Sequence, residues 1–117
     1  MNVNYFKDLT MKYIVGILLL FCGSLSASVT AREINQFAYQ LLWRGHTNKA
    51  VQVFERNVVL YPDIANLYDS LAEGYDSLGE YKKAVANQQK AVDLATQQKL
   101  TNIEYFQNRL AQFSSKL

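Results

Sequence analysis

The sequence predicts an all-α fold: two tandem helix–turn–helix repeats closed by a C-terminal capping helix, a fragment of a right-handed α-solenoid. Three observations predict it. Apolar residues recur at spacings of three and four, the chain repeats itself with a period of 34 residues, and glycine and proline fall where helices must end.

The period is read by setting Ala31 over Ala65. With no gap, Ala38 falls on Ala72, Gly45 on Gly79, Ala50-Val51 on Ala84-Val85, Val58 on Val92 and Leu60 on Leu94. The copies span about 31–64 and 65–98, and a capping helix of about 100–117 follows. In the first copy Ile34, Phe37, Ala38 and Leu41 form the stripe of a half-buried helix. Gly45 and Gly79 end the first helix of each pair, where a residue tolerant of positive φ is favoured. Pro62 stops the second helix of the first pair, and Asp63 is placed to cap the next. Ala38, Ala50, Ala72, Ala84 and Ala91 stand where helix backbones must approach closely. Thr101-Asn102-Ile103-Glu104 has the form of a capping box. It opens a helix with Leu100, Ile103, Phe106, Leu110, Phe113 and Leu117 on one side, suited to cover the end of the second repeat. Thr30 to Glu33 has the same capping form.

These residues resemble the tetratricopeptide repeat family. The second copy carries its pattern at Tyr68, Leu71, Ala72, Tyr75, Ala84 and Ala91, and departs at Gln88 (usually aromatic) and Thr96 (usually proline). The first carries Ile34, Phe37, Ala38, Leu41, Ala50, Phe54 and Pro62, and departs at Asn57, where the family has alanine. The segment Asn57 to Tyr75, with Phe37 to Leu42, is also similar to the C-terminal repeat tail of some bacterial β-lactamase-like and esterase-type serine hydrolases. That similarity implies a bacterial origin and kinship with an accessory domain. It carries over no catalytic residue, because the hydrolase body is missing.

Residues 1–31 read as a secretory signal peptide, with Met11 as an alternative start, and residues 32–117 as the repeat domain. Met11-Lys12 precede an uncharged run from Tyr13 to Cys22, and small residues follow up to Ala31. The run is short for a membrane span, which needs roughly 20 apolar residues. The pattern places the mature protein in the periplasm or outside the cell, cleaved after Ala27 or Ala31. A retained anchor is the alternative. Cys22 is the sole cysteine, and the bulky Phe21 before it departs from a lipoprotein cleavage site. Without the signal the chain has no thiol, hence no disulfide or thiolate chemistry.

From Arg32 onward there are ten Lys/Arg and nine Asp/Glu. This balance lacks the concentrated cationic footprint that nucleic acids require, and it argues against a membrane-surface role once the signal is removed. No catalytic set is present. His46 is the sole histidine and follows Gly45 in a turn, with no partners at metal-ligand spacing. Ser70 and Ser77 have no nucleophile elbow and no Ser-x-x-Lys pair. Neither a metal nor a cofactor is implied, and the chain reads as a non-enzymatic binding module.

The resemblance implies a groove lined by the first helix of each pair: Asn35, Tyr39, Leu42 and Trp43, then Asn66, Asp69, Glu73 and Asp76. Asp69, Glu73 and Asp76 share one helix face, so they would favour a cationic or hydrogen-bond-donating ligand or else form a solvated face. Trp43 is an aromatic anchor for a partner or packs on the turn or on the following helix. The expected partner is a protein or peptide, and the open first repeat also allows a homodimer. The leading expectation is an exported adaptor, and the alternative is a detached accessory domain that stabilises or regulates a serine hydrolase.

Overall fold

A computed structural model describes residues 29–117, which form five helices and no strand. They are α1 (Ala31–Trp43), α2 (Thr47–Leu60), α3 (Ala65–Ser77), α4 (Tyr81–Gln97) and α5 (Ile103–Ser114). Residues 1–28, and with them most of the segment read as a signal peptide, lie outside the described residues. Each helix packs on the next in the chain, and α1 also touches α3. The result is two antiparallel helix pairs in a row with α5 laid over the far end.

Local chemistry sets the boundaries. Thr30 caps α1 in a full capping box: its Oγ1 accepts the Glu33 N–H at 3.3 Å, and Glu33 Oε2 accepts the Thr30 N–H at 2.8 Å. The backbone bond to Thr30, then the side-chain bond, hold the Glu33 pKa below its usual value. After α1 and α3 the chain turns through Gly45 (φ 82°) and Gly79 (φ 76°). In both turns a six-to-one bond closes the helix end, His46 N–H to Leu41 O and Glu80 N–H to Tyr75 O, each at 2.9 Å. The end of α4 repeats this device on Lys99 at φ 55°, with Leu100 N–H donating to Ala95 O at 2.9 Å.

Three expectations need correction. Asp63 does not cap α3; Ile64 holds that position with no side-chain bond, so Asp63 is one residue too early. The box expected at Thr101 does not form, because α5 starts at Ile103. Asn102 then stands at the cap position with φ −104° and ψ 26°, outside the extended region that capping needs. Phe37, expected on the buried stripe, is 52% exposed, while its neighbour Ala38 is fully buried.

The core has two parts. Ala38, Ala50, Val51, Phe54, Leu71, Ala72, Tyr75, Ala84 and Phe113 form one, and Ala65, Ala91, Val92, Leu94, Ala95 and Phe106 the other. Helix α5 therefore contributes one phenylalanine to each. The five alanines assigned to close helix contacts are all fully buried. At the α2–α3 crossing, a Cβ on Gly74 would lie 3.0 Å from Val51 Cγ2 and 3.1 Å from Phe54 Cδ2, so any larger residue there requires those side chains to shift.

Candidate binding surface

The first helices of the two pairs lie side by side and are joined across their shared face. Asn35 Nδ2 donates to Ser70 Oγ at 3.1 Å, and the Tyr39 hydroxyl donates to Glu73 Oε2 at 2.9 Å. Burial first, then the Glu73 carboxylate, push the Tyr39 pKa well above its ordinary value. These bonds fix α1 on α3 and define the two halves of the groove.

The half on α3 is filled by the chain itself. Arg109 of α5 lies across the acidic row, its Nε 3.4 Å from Asp69 Oδ1 and its Nη2 3.2 Å from Glu73 Oε2. The Tyr105 hydroxyl donates to Asp69 Oδ2 at 3.2 Å. Lys116 Nζ donates to both Asp76 carboxylate oxygens, at 2.6 and 2.7 Å. The Arg109 guanidinium also stands 4.8 Å from the centre of the Phe113 ring. Partial burial alone would lower the Arg109 pKa, but Asp69, Tyr105 and Glu73 outweigh it and hold it above its usual value. The Asp69 side chain is only 5% exposed, so its carboxylate has no free approach for an outside cation. The acidic row is an internal ion-pair network.

The half on α1 is open. Gln36, Tyr39, Gln40 and Trp43, at i, i+3, i+4 and i+7, line a depression of about 400 Å³. The Tyr39 and Trp43 rings lie 5.7 Å apart at 32°, and Tyr39 meets the buried Phe54 edge-on at 5.1 Å and 75°. Trp43 is thus seated on a ring that is itself held by the core, yet it remains 77% exposed.

The eight residues assigned to the groove separate accordingly. Tyr39 and Trp43 line the open half, and Asp69, Glu73 and Asp76 lie under α5. Asn35 is spent on the α1–α3 contact, Leu42 packs on the core, and Asn66 is exposed at the start of α3. Sequence reasoning missed Gln36 and Gln40, and it missed the cations Arg109 of α5 and Lys116 just beyond it. The latter left a signal: Arg109 and Lys116 are seven residues apart, the same interval as Asp69 and Asp76.

No family model and no curated protein matches the chain. Chains of known structure do. One is a tetratricopeptide repeat domain protein from Salinibacter ruber, solved by NMR in solution. It is 19% identical with a TM-score of 0.67, over 74% of this chain and 89% of that one. The fold is a tetratricopeptide-type α-solenoid. The repeat period, the paired helices and the glycine turns thus agree with a solved architecture, and the solenoid here is two pairs and a lid.

Proposed function

We propose that this solenoid is an exported, non-catalytic adaptor that holds a protein or peptide partner in the open half of its groove. The observation that carries the reading is the seat of Trp43: a large aromatic group, supported from beneath by Tyr39 and Phe54 and flanked by two amides, left facing solvent. Such a residue offers much apolar area at small entropic cost when a partner covers it. Gln36 supplies a donor and an acceptor for a peptide backbone beside it.

Export is supported by the leader-like sequence before Val29. Cleavage after Ala27 keeps the Thr30 cap on α1, whereas cleavage after Ala31 removes it. The mass of the natively expressed protein decides this: a chain starting at Ser28 or Arg32 agrees with export, and a full-length cytoplasmic product refutes it. For the adaptor reading, the parent and Trp43→Ala are used as bait in an envelope extract, and the recovered partner is then titrated as a pure protein. Loss of about tenfold or more in affinity on Trp43→Ala is expected. Equal binding by both would show that the depression is not the site.

The accessory-domain reading keeps one specific support, the likeness of Asn57 to Tyr75 to hydrolase tails. It predicts that the recovered partner is a serine hydrolase without a repeat tail of its own.

A further inference from the structure

Glu33, Phe37, Gln40 and Arg44 stand at i, i+4, i+7 and i+11, in one row along α1, and all four are exposed. One repeat later the same row is Leu67, Leu71, Gly74 and Leu78. There it is the seam against α2: Leu71 is 3% exposed, and a Cβ on Gly74 would meet Val51 and Phe54. Among the described residues no helix lies over the α1 row. The end of α2 sits beside the start of α1, through Asn57 Nδ2 to Ala31 O at 2.8 Å and the Tyr61 hydroxyl to Val29 O at 2.9 Å. Leu60 there is 63% exposed, although its counterpart Leu94 is 5% exposed. A position built for helix-on-helix packing is therefore open in the first repeat.

We propose that the row is the contact of a two-fold symmetric dimer, with α1 packed antiparallel on α1 of a second copy. Its charge order fits that partner. Glu33 and Arg44 end the row with Phe37 and Gln40 between them, so antiparallel pairing sets Glu33 opposite Arg44 of the second copy, and does so twice. The two ends are about 16 Å apart along the helix, and the two Phe37 rings fall about 4–5 Å apart along it, across the axis. The centre sets each Phe37 ring beside a Gln40 amide of the second copy, and the rim is charged. Both capping bonds from Thr30 end on Glu33 Oε2, which leaves Oε1 for this pair. Head-to-tail stacking is disfavoured by the other end of the solenoid, where α5 presents the exposed residues Glu104, Gln107, Asn108 and Gln112. The polar row on α5 does not match the Phe37 row of α1, which leaves two-fold pairing as the closed arrangement.

Sedimentation equilibrium of the exported protein over a range of concentrations tests this. A reversible monomer–dimer equilibrium is expected, weakened more than about tenfold by Phe37→Glu. Arg44→Glu sets like charges face to face at both rims, and so does Glu33→Arg; each alone should be monomeric. An equimolar mixture should recover the dimer, because both rims then pair opposite charges. Circular dichroism checks that each variant keeps its helices. Trp43→Ala should leave self-association unchanged, which separates this proposal from the adaptor reading. A monomer at every concentration overturns it, whether the row stays open or is covered by chain before Val29 or by a different protein. So does a dimer that ignores Phe37→Glu, or a mixture that does not recover.

Discussion

The two ends of the solenoid solve the same problem differently. At the C-terminal end, α5 covers the second repeat with Phe106 and Phe113 inside and a polar row outside. Its Arg109, with Lys116 just past its end, also neutralises the carboxylates of α3. At the N-terminal end no such lid exists among the described residues, and Phe37, Trp43 and Leu60 remain in solvent. The lesson is that equivalent positions in a repeat need not have equivalent roles. An acidic row facing the groove can be the chain's own docking site, while the aromatic half stays exposed.

The strongest way to break the comparison is to truncate one ring at each end. Phe106→Ala should cost about 3–5 kcal/mol in chemical denaturation, because the side chain is almost wholly buried between α4 and α5. Phe37→Ala should change stability by less than about 1 kcal/mol in the monomer. Similar losses at both would mean that the N-terminal end is covered after all.

A subtler contrast uses positions one repeat apart. Gly74→Leu drives a side chain into Val51 and Phe54 and should destabilise by about 1–3 kcal/mol or more. Gln40→Leu, at the matching place on α1, should stay within about 0.5 kcal/mol of the parent. Denaturant midpoints at equal slope check both.

Lys99→Gly sharpens the account of the lid. Lys99 holds a left-handed conformation that the other two turns give to glycine, so the substitution should stabilise by up to about 1 kcal/mol. No gain in melting temperature would count against that turn.

The smallest effect is expected from alkaline pH. Tyr39 has a folded pKa raised above 10.0, mainly by burial. Its contribution is fully present below pH 10.0 and is lost as pH rises toward the folded value, since the unfolded chain releases the proton first. Tyr39→Phe should make stability fall less steeply with pH in that range, as read from denaturation at stepped alkaline pH.

Most of the architecture was legible because period, glycine turns and small-residue positions are local or repeat-based signals. Gly45, Gly79 and the five alanines needed no knowledge of distant contacts. The acidic row was equally visible as a face. What covered it was not, because α5 reaches it only after the Lys99 turn, and its register on α3 is set by where Phe106 and Phe113 find the core. Asn57 and Gln88 show the same limit. Both depart from the repeat pattern, and both are fully buried amides that donate to backbone carbonyls, Asn57 to Ala31 at 2.8 Å and Gln88 to Phe106 at 3.1 Å. Their partners lie 26 and 18 residues away, beyond any local pattern. Phe37 was misplaced for the opposite reason: its spacing fits a buried stripe, but no following contact buries it.

The claim on which the rest depends is that α5 occupies the acidic row, and a double-mutant cycle between Asp69 and Arg109 measures that contact directly. Asp69→Asn, Arg109→Gln and the double variant are compared with the parent by urea denaturation. The account predicts a coupling of about 1–2 kcal/mol, with the double variant less destabilised than the sum of the two singles. The coupling should shrink only slightly in high salt, because Asp69 is nearly buried. A coupling within about 0.3 kcal/mol of zero would place α5 elsewhere and return the carboxylates of α3 to the open groove.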